Sequence, residues 1–229
     1  MKMKMQKLWI LFFVLAIILC GCTQLNTPED SSALLPIECV AQHPHFPTGC
    51  ESVTTVMALQ YLGEEISAED FILHHLPMSN EFYYRNGQLI GPDPNQFFIG
   101  DPRTANSYGC FAPVIEQALI SYFGSDERVL NTSGLSLDTL CRRYIDSGLP
   151  VILWAGIRME PIKEGASWLL ENGKQFVWPS GEHCVLLVGY NDTHYYINDP
   201  YAGEMCAYEK ATVEQRYREM KMQSIVITK

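Results

Sequence analysis

The chain has 229 residues, 47% of them hydrophobic and 18% charged, with 16 Lys and Arg against 26 Asp and Glu for a formal net charge of -10. Such a composition carries a real core and excludes a disordered, collagenous or coiled-coil protein. The acidic balance, with no basic run, argues against a nucleic-acid partner, whose binding depends on Lys and Arg neutralising phosphates; it leaves a peptide, a wall polymer or another protein.

In chain order, the first segment reads as a secretory signal. Lys2, Lys4 and Lys7 form a basic start, and Leu8 to Leu19 is an apolar run too short to span a bilayer comfortably as a permanent helix. It ends in Leu19-Cys20-Gly21-Cys22, which resembles a bacterial lipobox, with residues 1–21 removed and Cys22 lipidated. An ordinary signal peptide with two incidental cysteines is the alternative. The lipobox reading puts the chain outside the cytoplasmic membrane, held by lipid. Residues 22–36 are polar and Pro-bearing over most of their length and read as a flexible tether. From residue 37 to 229 there is no second composition shift and no repeat, so one domain is expected.

Thr48 and Glu51 have the spacing of a capping box, and apolar residues follow at Val53, Val56, Met57, Leu59 and Leu62, so a helix is expected here with Thr48 as its cap and Cys50 in its first turn. Free N–H groups at that end of a helix favour a thiolate and are expected to lower the Cys50 pKa. Further helices are expected over residues 68–76, 112–123 (Pro113 in the first turn), 136–147 (capped by Ser136, stopped by Gly148) and 213–220. Residues 80–107 and 160–179, both aromatic-rich, read as a long irregular segment and a flap. Strands are expected at 150–155, 184–190, 193–198, 205–208 and 224–228, giving an α+β fold with an antiparallel sheet.

A thiolate needs a base. Of the six His, His43 and His45 flank Pro44 in a loop, and His74 and His75 suit a helix end; His183 opens the apolar run Cys184 to Val188, a central strand, and is the best placed. A tight turn at Asn191-Asp192 would bring Asp199 beside His183, where a carboxylate fixes the imidazole's tautomer. The other reading of Asn198-Asp199-Pro200 is a turn that merely ends the strand. Six cysteines remain beyond Cys22: Cys39, Cys50, Cys110, Cys141, Cys184 and Cys206. Cys141 and Cys184 lie on apolar faces and read as small core residues. No CxxC pair or HxxxH occurs, so no metal site is expected.

Taken together, Gln42-x-Pro44-x-Phe46-Pro47-Thr48-Gly49-Cys50-Glu51, Gly100-Asp101-Pro102, Gly109-Cys110-Phe111-Ala112-Pro113, Gly181-x-His183-Cys184 through Tyr190, and Asn198-Asp199-Pro200 resemble the bacterial peptidase family thirty-nine-like domain. These domains belong to the papain-like superfamily and are related to the proteases that cut double-glycine leaders from bacteriocin precursors. The resemblance runs from about Ile37 to the C-terminus. It implies a papain-like fold, N-terminal helices with the catalytic Cys at a helix N-terminus, packed on a C-terminal antiparallel sheet. It also implies Cys50 as nucleophile, His183 as general base and acid, Asp199 as the orienting residue, and Gln42 as an oxyanion donor beside the Cys50 backbone N–H. Gln42 precedes the Cys by more residues than is usual in papain-like enzymes. The activity expected is hydrolysis of a peptide or isopeptide bond without a cofactor, by a monomer acting on a peptide or protein, a peptidoglycan peptide among them. A wall amidase and a non-catalytic peptide- or wall-binding lipoprotein are the alternatives.

Overall fold

The computed structural model describes residues 32–229; the signal and the lipidation position Cys22 lie outside the described residues. Five helices are described: α1 (Cys50–Tyr61), α2 (Ala68–His74), α3 (Ala112–Phe123), α4 (Leu137–Arg143) and α5 (Lys210–Glu219). The expected α-helices are all present, α3 with the expected bounds and the others with shifted ends. Ser67 caps α2 by accepting from Asp70 N at 3.0 Å, and Ser136 caps α4 by accepting from Thr139 N at 3.2 Å. The α4 segment ends earlier than its apolar pattern suggests, because its last turn tightens into a 3-10 turn at Ile145–Ser147 before Gly148 leaves at φ 80°.

The strands are β1 (Ala33–Leu34), β2 (Met78–Ser79), β3 (Tyr83–Arg85), β4 (Gln88–Ile90), β5 (Phe98–Ile99), β6 (Val129–Asn131), β7 (Val151–Gly156), β8 (Lys163–Leu169), β9 (Gln175–Ser180), β10 (Glu182–Tyr190), β11 (His194–Asp199), β12 (Glu204–Glu209) and β13 (Ser224–Ile227). The main sheet runs β12-β11-β10-β7-β13-β6, every pairing antiparallel, with β1 added along the end of β10. The tether is therefore shorter than expected. Ala33 and Leu34 pair with Tyr190 and Gly189, and Leu35 N donates to Val188 O, because the last turn of β10 has backbone groups to satisfy and Ala33 to Leu35 are apolar enough to lie there.

Both central strands, β7 and β10, are buried on both faces, which is why they read as continuous apolar runs. Cys184, Leu186 and Val188 of β10 join Ile152 and Trp154 of β7 in a core under α1 and α3. Val185 and Leu187 join Val151 and Leu153 in a second core under α4 and α5. Helices thus cover both faces. Helix α1 is the most enclosed: every residue from Cys50 to Leu59 is buried, Glu51 included.

The two segments read as an irregular stretch and a flap belong together. β3 and β4 pair as a hairpin, Ile90 of β4 meets Leu169 of β8 in parallel, and β8 pairs with β9, so a four-stranded sheet forms beside the main one. Its inner side packs Trp168, Phe176 and Trp178 against Phe82, Tyr108 and Phe111, with the Phe111 and Trp178 rings stacked 5.6 Å apart. Pairing between segments some 80 residues apart is invisible to local periodicity.

Candidate active site

Cys50 is the first residue of α1, as its place in the sequence suggests, but the cap differs from the capping box. The N-cap is Gly49, with no side-chain cap. Thr48 Oγ1 donates to Thr104 O at 2.9 Å, and Glu51 turns inward. Its Oε1 accepts from Cys110 N at 2.6 Å and its Oε2 from Cys50 Sγ at 3.2 Å. The buried amide of Cys110 offers Glu51 a stronger partner than a solvent-side helix end.

His183 is the second residue of β10, at the mouth of the strand as expected, and is 1% exposed. Its Nε2 lies 2.7 Å from Asp199 Oδ1, which also accepts from Tyr201 N and Ala202 N. Burial drives the Asp199 carboxyl upward, but the His183 contact and the two backbone N–H groups outweigh it and hold it below the ordinary carboxylate range. An ionised Asp199 can only accept, so His183 Nε2 carries the proton of that bond and Nδ1 is left as the basic nitrogen. The pair arrives by a different turn from the one expected. Tyr190 pairs with Tyr195, not Thr193, because Asn191 Oδ1 accepts from both Thr193 N and His194 N and widens the loop; a bulge between Leu187 and Gly189 then shifts the register by one residue.

The Cys50 thiol contradicts the expectation of a lowered pKa. Burial is the largest cause, the carboxylates of Glu51 and Glu182 add to it, and together they push the thiol well above its ordinary value despite the helix N-terminus. Cys50 Sγ is spent on Glu51 and His183 Nε2 on Asp199; no hydrogen bond joins Cys50 to His183 among the described residues. The two elements share a core and are joined by a side-chain-to-backbone bond, Thr54 Oγ1 donating to Cys184 O at 3.1 Å. Gln42 is buried in the loop that leads into α1, its Nε2 donating to Pro47 O at 2.9 Å and its backbone N–H to Pro200 O at 2.8 Å, while Oε1 has no partner.

Two residues at this site were missed in the sequence. The capping-box spacing points Glu51 to a different role, and nothing in the local pattern singles out Glu182. Both are buried, at 0% and 7% exposure. The available signal is that Glu51 is the one charged residue in CESVTTVMAL, a run otherwise of apolar and small hydroxyl residues with no charged face for solvent. Burial, then mutual repulsion with Glu51, pushes the Glu182 carboxyl well up, and burial pushes Glu51 up. Gly109 makes room for them at φ 136°; a Cβ there would sit 2.6 Å from Glu51 Oε1 and 3.0 Å from Glu182 Oε2. A cleft of about 240 Å³ runs between Ser79 to Phe97 and Leu170 to Asn172, along the small sheet.

Comparison with known proteins agrees with this architecture. The sequence model of the peptidase C39-like family matches residues 34–225. The uncharacterized protein YvpB of Bacillus subtilis (strain 168) is 27% identical over 186 residues, covering 81% of this chain and 71% of that protein. A crystal structure of a Bacillus anthracis protein, described there as C39-like, superposes with a TM-score of 0.77 at 24% identity, over 87% of this chain and 98% of that one. That structure shares the mixed fold of helices on an antiparallel sheet. By its motifs, fold and family match, the chain belongs to the peptidase C39-like family.

Proposed function

We propose that this protein is an extracytoplasmic, lipid-anchored cysteine peptidase that hydrolyses a peptide or isopeptide bond through an acyl-enzyme on Cys50. The observation that carries the reading is the buried His183–Asp199 pair, 2.7 Å apart, at the mouth of the strand against which the Cys50 helix packs. In this reading Cys50 turns about χ1 from Glu51 toward His183, a change between staggered positions. His183 Nδ1 takes the thiol proton, and the thiolate attacks the carbonyl carbon. The first-turn N–H groups of α1, with the Gln42 amide, stabilise the oxyanion. His183 returns its proton to the leaving amine, and water then releases the acid and frees Cys50. The anchor rests on Lys2 to Cys22 of the sequence, and no described helix is long and apolar enough to cross a membrane.

A second reading has an observation of its own. The thiol is buried, protonated and bonded to Glu51, which suits a non-catalytic lipoprotein that binds peptides or wall fragments. Incubating the chain with a mixture of peptides and, separately, with purified peptidoglycan separates the cases. New peptide termini that vanish in Cys50→Ala support the peptidase, soluble wall fragments that vanish in the same variant support a wall amidase, and retention of either material without cleavage supports the binder.

A further inference from the structure

Two carboxylates and a thiol share one buried pocket beside Gly109. One ligand atom each from Cys50, Glu51 and Glu182 lies within 4.8 Å of the other two. Glu51 has hydrogen bonds from Cys110 N and Cys50 Sγ, but Glu182 Oε1 is buried with no partner. Both carboxylates converge over Gly109, whose missing side chain leaves the space they occupy. Buried carboxylates so arranged are settled by protons or by a metal cation.

A thiolate beside two carboxylates selects for a borderline-soft divalent ion. Zinc bonds of about 2.0 to 2.3 Å in a tetrahedron place ligands roughly 3.3 to 3.8 Å apart, so these side chains close by up to about 1.5 Å, which glutamate torsions allow. The fourth position stays open. The set is assembled from residues more than 130 positions apart, so it has no sequence spacing to announce it.

We propose that Cys50, Glu51 and Glu182 form a divalent-metal site of the zinc class that holds the Cys50 sulfur away from His183. The site itself stands on its own geometry; its effect as a brake rests on the reading of Cys50 as nucleophile. On binding, Zn²⁺ forms a bond to Cys50 Sγ and one to an oxygen of each carboxylate, and the protons of the thiol and of the carboxyl pair leave to solvent, with no change of oxidation state. His183 and Asp199 keep their mutual bond and take no part.

The test uses the full chain, stripped with chelator and titrated with ZnCl₂ against a chromophoric zinc indicator, with Co²⁺ as a second probe. The expected result is one tight ion per chain, a cobalt–thiolate charge-transfer absorption, loss of that absorption in Cys50→Ser, and an affinity at least about tenfold weaker in Glu182→Gln and Glu51→Gln. His183→Ala and Asp199→Ala bind as the parent does. Failure of the parent to bind zinc stoichiometrically overturns the proposal. So does affinity unchanged in Glu182→Gln and Cys50→Ser, which puts the ion elsewhere, or a loss in His183→Ala as large as in Glu182→Gln, which makes it an ordinary Cys–His ligation. Thermal melts of each metal-free variant report folding, and Glu182→Asp, which keeps the charge and shortens the reach, serves if the Gln variant does not fold. Because binding is read without turnover, a chain that binds zinc but cleaves nothing contradicts only the peptidase reading, and one that cleaves but binds none contradicts only the metal site.

Discussion

The Cys50 thiol donates to the carboxylate of the next residue, Glu51, at 3.2 Å, although the helix it begins favours a thiolate. Burial and two carboxylates outweigh half a helix charge. In the presence of chelator, iodoacetamide is therefore expected to label Cys50 slowly at pH 7 and faster as the pH is raised. Removing the nearest negative charge lowers the thiol pKa, so Glu51→Gln should label faster at pH 7, about tenfold for each unit of lowering. Peptide mass spectrometry of the labelled site measures this, and a slower variant contradicts it.

Glu182 titrates upward in the folded protein, so the folded state binds its proton more tightly than the unfolded chain. Stability conferred by that proton is full below the unfolded carboxyl pKa and is lost as pH rises toward the folded one. With metal removed by chelator, Glu182→Gln should therefore be more stable than the parent at pH 7.5, by on the order of 1–3 kcal/mol for relief of an unpartnered buried group, and equal to it near pH 4. Thermal melts across that range decide it; a variant less stable at pH 7.5 shows that Glu182 is held ionised by a partner.

Asp199 behaves in the opposite sense. Its folded pKa is depressed, so its contribution is present above the unfolded carboxyl value and is lost as pH falls through the folded one, below about 4. Asp199→Ala leaves His183 Nε2 and the Tyr201 and Ala202 N–H groups without their acceptor. A loss of about 1–3 kcal/mol in denaturant unfolding at pH 7 is expected, shrinking toward pH 3.

Gly109 and Trp154 position Glu51 through Cys110. Gly109→Ala forces a Cβ against both carboxylates at a φ that side chains avoid, and should cost about 1–3 kcal/mol. Trp154→Phe keeps the buried ring but removes the indole N–H that donates to Cys110 O at 2.9 Å, and should cost a similar amount through an unsatisfied carbonyl. Chemical denaturation measures both; a neutral Gly109→Ala shows that the pair can move aside.

The sequence carried much of this because the strongest signals are local. The continuous run Cys184 to Val188 has to be a strand buried on both faces, the Ser136 and Pro113 positions have to begin helices, and His183 meets Asp199 although the turn between them is two residues longer than the Asn191-Asp192 pattern implies. What stayed hidden depends on tertiary contact. The small sheet joins Ile90 to Leu169, β1 closes the end of β10, and Glu51 abandons a cap for an amide 59 residues away. Local propensity cannot weigh a partner that only the fold supplies.

The central claim is that Cys50 is the nucleophile of a pair with His183, and a peptidyl acyloxymethyl ketone reports on it directly by alkylating a sulfur that an adjacent imidazole activates. With the chain freed of metal, mass spectrometry is expected to find a single adduct on Cys50, at a rate lowered about a hundredfold or more in His183→Ala. An adduct on another cysteine, or one on Cys50 that forms equally fast without His183, contradicts the account.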